Sequence, residues 1–135
     1  MSKRSSLLLV TVVAAAITAS LLLYTQLLSS QKTAIEHIVI IPSGSFIPPE
    51  DWKAGELVFN NRYYNPSNLT INVGDKVKWI NRDSVTHTVT DLSEEALFDK
   101  ILNPHEYYTV TFSRKGVYIY MCTIHPWQGG EIKVT

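Results

Sequence analysis

The sequence contains a single cysteine, Cys122, among its 135 residues. One cysteine cannot form an intrachain disulfide, and it excludes a zinc site built from paired cysteines. The chain also lacks an excess of either charge, because 12 basic and 12 acidic residues balance to a net charge of zero. Since no basic run or patch is present, the sequence predicts no nucleic-acid partner.

The N-terminus carries a long uncharged stretch. Residues 7–28, LLLVTVVAAAITASLLLYTQLL, contain no charge, no proline and no glycine. As a helix this stretch would span roughly 33 Å, and a bilayer core is about 30 Å thick. A cleaved signal peptide usually has a shorter apolar core, of about 7–15 residues. The sequence therefore predicts residues 1–30 as an uncleaved transmembrane anchor, and cleavage near Ala19 or Ser30 stays open.

Two basic residues, Lys3 and Arg4, precede this stretch. Positive residues favour the cytoplasmic side of a membrane. We therefore expect a single-pass protein of the cell membrane whose C-terminal part, residues 31–135, lies outside the cytoplasm.

Residues 31–135 are predicted to form one all-β domain. Short segments rich in β-branched and aromatic residues alternate in polarity, and turn signals separate them. They are IEHIVI, LTINV, DKVKWI, VTHTVT, YYTVTF, VYIYMC and EIKVT. This spacing predicts an antiparallel sandwich or barrel, while residues 92–100 could form one helical turn or a loop.

Strand alternation predicts the direction of two reactive side chains. In VTHTVT, His87 shares a face with the two valines, which should point inward. In VYIYMC, Cys122 shares a face with Tyr118 and Tyr120, whereas Met121 points to the other side. A buried imidazole needs partners for its ring nitrogens, so His87 is a candidate ligand.

His87, Cys122 and His125 together form a candidate metal site. A single inward histidine or buried cysteine is more often structural, but two imidazoles and one thiolate are the trigonal set that selects copper in an electron-transfer site. The other two histidines, His37 and His105, are expected at the surface and outside this site.

The sequence resembles the cupredoxins, the small blue-copper β-sandwiches. INVGDKVKWINRDSVTHTVT resembles their first-ligand region, and GVYIYMCTIHP resembles their ligand loop with its C-x-x-H spacing. The resemblance covers residues 35–135 and implies a Greek-key β-sandwich or barrel that binds one copper ion through His87, Cys122 and His125. The short loop is most similar to that of the amicyanins. Their axial methionine falls on Gln128 here, so the fourth position is Gln128, a water or nothing.

The resemblance implies a carrier of single electrons rather than an enzyme, and the anchor predicted from residues 1–30 would hold it at the membrane. Unidentified redox proteins would dock transiently where His125 reaches the surface beside Pro126 and Trp127. A glutamine oxygen is a harder donor than a thioether, so the reduction potential should be lower than with methionine. Two alternatives stay open: a copper enzyme or sensor whose open axial position binds a small molecule such as nitric oxide, and a copper storage or delivery protein.

Overall fold

The computed structural model describes residues 3–29 and 33–135, with the side chains of residues 13–26 and 33–135. The chain divides after Thr33 into two compact units. The first unit includes the helix α1 (Lys3–Ser29). Within the described residues, no helix combines the length and the apolar character that crossing a bilayer requires. The transmembrane helix expected at residues 7–28 is therefore not supported, and the predicted boundary between residues 30 and 31 lies outside the described residues.

The second unit is built from nine strands in the described residues. They are β1 (Glu36–Ile41), β2 (Val58–Phe59), β3 (Asn68–Ile71), β4 (Lys76–Asn81), β5 (His87–Asp91), β6 (Asp99–Leu102), β7 (Tyr107–Thr111), β8 (Gly116–Met121) and β9 (Gln128–Val134). The smaller sheet has the order β1-β4-β7, and the larger sheet has the order β2-β9-β8-β5-β6 with β3 also paired to β9. The predicted mostly β sandwich is confirmed.

The pairing is mixed, so the expectation of an antiparallel sandwich was only partly right. β1 runs parallel to β4, and β2 and β3 both run parallel to β9. The other pairs, β4 with β7, β5 with β6 and β8, and β8 with β9, are antiparallel. Periodicity predicts which residues face the core, but it does not reveal the direction of a neighbouring strand.

Alternating side chains place one apolar core between the sheets. In β4, Val77, Trp79 and Asn81 are buried while the intervening residues reach solvent. Both sheets supply the core, with Val39, Ile41, Val77, Trp79 and Val110 from the smaller one and Ile71, Val89, Leu102, Tyr120, Ile132 and Val134 from the larger one. Gly130 is required opposite Tyr120, because a Cβ there would collide with the phenol ring.

Strands β5 and β8 separate near one end of the sandwich. Their ladder pairs Thr90 with Met121 and Asp91 with Tyr120. The ladder ends at the Thr90–Met121 pair, and His87 and Cys122 lie beyond it. The fold thereby places side chains from both segments near each other at this end of the sheet.

Candidate metal centre

His87 is the first residue of β5 and is completely buried. Its Nε2 lies 3.0 Å from Oδ2 of Asp83 and 3.2 Å from Oγ of Ser45. A carboxylate can only accept hydrogen bonds, so the ring proton is on Nε2, and this N–H donates to Asp83. The neutral ring therefore keeps a lone pair on Nδ1, the nitrogen that faces Cys122.

Cys122 follows β8 directly, and its thiol is buried. The backbone N–H of Thr88 donates to its Sγ at 3.2 Å. Burial alone would raise the pKa of the Cys122 thiol, but the neighbouring His87 and the hydrogen bond from the Thr88 N–H lower the pKa below its ordinary value. The thiolate, which is the form that binds metals, is therefore easier to form here than at a buried thiol without these partners.

His125 lies in the short connection between β8 and β9 and is half-buried. Two backbone hydrogen bonds close this connection, from Gln128 N–H to the His125 carbonyl (3.0 Å) and from Cys122 N–H to the Gln128 carbonyl (3.2 Å). The ring of Trp127 packs against the His125 ring with centroids 5.4 Å apart. The loop therefore holds His125 in place while leaving part of the ring accessible.

The three side chains present their donor atoms to one point. His87 Nδ1 and His125 Nδ1 are 3.1 Å apart, and Cys122 Sγ lies 3.5 Å from the His125 nitrogen and 3.8 Å from the His87 nitrogen. All three donor atoms lie within 4.8 Å of one another. Neutral imidazole and thiolate lone pairs that face each other repel unless a cation lies among them. A soft thiolate with two imidazoles fits a single copper ion.

Gln128, the first residue of β9, adds a fourth donor to this cluster and is completely buried. Its Nε2 donates to the Ser45 carbonyl at 2.6 Å, and its Oε1 lies 3.1 Å from Nδ1 of His87. Because the Ser45 carbonyl can only accept, the amide nitrogen must face it. The amide oxygen consequently faces the point on which the other donors converge.

The electrostatics of the cluster favour positive charge at its centre. Burial would raise the pKa of the Asp83 carboxyl, but hydrogen bonds from the backbone, His87 and Ser45 lower this pKa to about 2. Burial would lower the pKa of His87, yet the hydrogen bonds to Cys122 and Asp83 outweigh it and raise the pKa. Burial lowers the pKa of His125, and so does the positive charge of His87 when that ring is protonated. A metal cation held at the centre would lie beside the Cys122 thiolate and one imidazole away from the Asp83 carboxylate.

The structure thus brings together all four residues that the sequence proposed as ligands, His87, Cys122, His125 and Gln128. It keeps the other two histidines apart from them. His37 is partly buried and bonds to Asp75 at 3.1 Å, so its expected surface position was only partly right. His105 is exposed, with a positive φ of 69°.

Sequence reasoning missed two residues that hold the ligands, Asp83 and Ser45. Asp83 stands four residues before His87 in a predicted turn, and this spacing was the available signal. Ser45 reaches the cluster from a loop about forty residues away in the chain, so no local pattern marks it.

Comparison with known proteins identifies the family. The cupredoxin-like domain matches residues 13–134 of the chain. Amicyanin of Paracoccus denitrificans is 34% identical over 107 residues, which cover 75% of this chain and 82% of amicyanin. A purple cupredoxin from Nitrosopumilus maritimus has a TM-score of 0.57 and 34% identity, covering 73% of this chain and 98% of its own. A Cu(I) amicyanin variant with a methionine-to-glutamine substitution has a TM-score of 0.52 and 30% identity, covering 74% of this chain and 82% of its own.

The mostly β sandwich, the buried His–Cys–His cluster and these matches lead to one conclusion. The chain belongs to the cupredoxin-like family.

Proposed function

We propose that this protein is an electron carrier that holds one copper ion through His87, Cys122 and His125. The observation that carries the proposal is the convergence of the two Nδ1 atoms and Sγ within 4.8 Å. The similarity to amicyanin supports the same function. Copper bound there supplies a one-electron couple between Cu(I) and Cu(II).

The residues of the site are suited to fast electron transfer. His87 and Cys122 are buried, so water has little access to the donor atoms. The Thr88 N–H stabilises negative charge on the sulfur, and the hydrogen bonds of the ligand loop should limit the movement of His125 when the copper changes its oxidation state. Fixed ligands keep the reorganisation energy small.

We further propose Gln128 as the axial ligand through Oε1. The amide is buried and oriented by Ser45, and its Oε1 lies 3.1 Å from Nδ1 of His87. A thioether in place of this harder oxygen favours Cu(I). We therefore expect Gln128→Met to raise the reduction potential, and an unchanged or lower potential in a redox titration would reject this role.

Docking of a redox protein is proposed where His125 reaches the surface. Ile124 is 49% exposed beside it, and Trp127 contacts Trp52 with ring centroids 5.6 Å apart. These apolar side chains suit a small transient interface. The electron donor and acceptor would both use this face.

Location at the outer face of the cell membrane is also a proposal, and it rests on the sequence of residues 1–30 alone. Fractionation of cells that express the full chain tests it. The protein should remain in the membrane fraction after washing with alkaline carbonate, and release into the wash would contradict an integral anchor.

The electron-carrier proposal is tested by loading the purified full chain with Cu(II). We expect one copper per chain, an intense visible absorption band from the thiolate, and reversible loss of that band on reduction. Added azide should leave the oxidised spectrum unchanged, because Gln128 would occupy the fourth position. A copper-loaded chain without the band would contradict the proposal, and a spectral change with azide would favour a small-molecule site instead.

A further inference from the structure

Asp83 is a buried carboxylate that accepts hydrogen bonds on both of its oxygens. Oδ1 receives the backbone N–H groups of Gly44 (3.0 Å) and Ser84 (2.8 Å). Oδ2 receives the Ser45 hydroxyl (3.0 Å), the Phe46 N–H (3.3 Å) and Nε2 of His87 (3.0 Å). The side chain is fully buried.

This carboxylate has no lysine or arginine partner in the described part of the chain, where its one ion pair is with His87. Its negative charge therefore acts on the imidazole and, through it, on the cluster. An acceptor-only group at Nε2 selects the tautomer whose free lone pair is on Nδ1.

The same carboxylate also holds the loop that orients Gln128. Three consecutive residues, Gly44, Ser45 and Phe46, donate to Asp83. The carbonyl of the middle residue, Ser45, accepts the Gln128 amide N–H at 2.6 Å. One buried charge is thus connected to two of the four donors through separate hydrogen bonds.

We propose that Asp83 is a positioning residue of the metal centre, which fixes the tautomer of His87 directly and the orientation of the Gln128 amide through Ser45. The role rests on the proposed copper site, and it assigns Asp83 no contact with the metal. Loss of the carboxylate disturbs two donors at once and removes a negative charge that favours Cu(II) over Cu(I).

Asp83→Asn in the full chain tests this role. The amide NH₂ would face hydrogen-bond donors in either orientation, because each oxygen of Asp83 accepts at least two. Removal of such a partner of a ligating histidine typically costs about 10- to 100-fold in metal affinity. We expect a loss of this size in copper affinity, measured by chelator competition, together with a higher reduction potential.

Asp75→Asn is the matched control. Asp75 is also buried and also accepts two backbone N–H groups and one histidine Nε2, but it lies away from the cluster. We expect this variant to keep the copper affinity and the potential of the unaltered chain. If Asp83→Asn likewise left both unchanged, the positioning role would be overturned.

A second measurement uses the unaltered chain without copper, so it does not depend on whether a variant folds. Nitrogen-15 NMR of the metal-free full chain at alkaline pH, where imidazole is neutral, reports the tautomer of His87. We expect the proton on Nε2, and a proton on Nδ1 would overturn the proposal. Because an unaltered chain that binds no copper would reject only the proposed function, the two failures are distinguishable.

Discussion

Strand β4 has a buried aspartate just outside each end, and each aspartate is bonded to a histidine. Asp75 precedes the strand and contacts Nε2 of His37 at 3.1 Å. Asp83 follows it and contacts Nε2 of His87 at 3.0 Å. The His37 side chain is 24% exposed, whereas that of His87 is fully buried. Both pairs join a carboxylate to a histidine Nε2, but different residues surround them.

The difference is made by the turn between β8 and β9. At the Asp83 end this turn supplies Cys122 and His125, whose donor atoms meet Nδ1 of His87. At the Asp75 end the carboxylate binds backbone N–H groups of Ile35 and Asn72 and fixes the start of β1. A carboxylate–imidazole pair therefore contacts the start of a strand at one end and orients a proposed metal ligand at the other.

The largest expected effect comes from removing the thiolate, which would make the Asp83 end resemble the Asp75 end. Cys122→Ser replaces a soft anionic ligand with a hydroxyl that stays protonated. We expect complete loss of the visible band after addition of Cu(II), measured by absorption spectroscopy. His37→Gln is the control and should keep the band. A serine variant that retained the band would contradict the role of the Cys122 thiolate in binding copper.

The core between the two ends should be sensitive to Gly130→Ala. The added Cβ meets the ring of the buried Tyr120, and such overpacking typically costs about 1–3 kcal/mol. The free energy of unfolding, measured with urea, should fall by this amount. Gly129→Ala is the matched control, because its Cβ would lie 3.2 Å from Leu57 Cβ and 3.4 Å from the Phe59 ring. Equal losses in the two variants would contradict the packing of β8 against β9.

Asp75→Asn should destabilise the fold in a pH-dependent way. Hydrogen bonds from Ile35 and Asn72, and then the one from His37, hold the pKa of Asp75 well below its usual range. A lowered folded-state pKa means that the ionised carboxylate stabilises the protein above its unfolded pKa of about 3.9. This contribution is lost as the pH falls below that value.

The variant should therefore have a lower free energy of unfolding than the unaltered chain near neutral pH. The two curves should converge as the pH decreases below about 4, which urea titrations at several pH values would show. If the difference in the free energy of unfolding stayed constant over this range, the charge of Asp75 would not contribute to stability.

The smallest effect is expected from His37→Gln. Asp75 keeps both backbone N–H partners in this variant, so the loss of stability should be smaller than for Asp75→Asn. Thermal unfolding measures the difference. A larger loss of stability in the histidine variant would mean that His37 matters more to Asp75 than the two backbone N–H groups do.

Much of the site followed from strand alternation and residue type. Alternation in VTHTVT predicted the buried position of His87, and alternation in VYIYMC placed Cys122 on the face of Tyr120, which is also buried. The short spacing from Cys122 to His125 kept the second imidazole near the thiol. These features depend on residues close together in the sequence, so local sequence patterns predict them.

The remaining features depend on contacts between distant segments. Strand β6 was missed because three of its four residues are exposed, which leaves no alternation. The parallel pairing of β1 with β4 depends on chain direction rather than on polarity. The orientation of Gln128 required a carbonyl from Ser45, 83 residues earlier in the chain. The sequence alone left this fourth position undecided.

X-ray absorption at the copper edge of the loaded full chain measures the proposed coordination most directly. We expect one short copper–sulfur distance together with two copper–nitrogen distances from imidazole rings. A spectrum with nitrogen and oxygen neighbours but no sulfur would contradict this coordination.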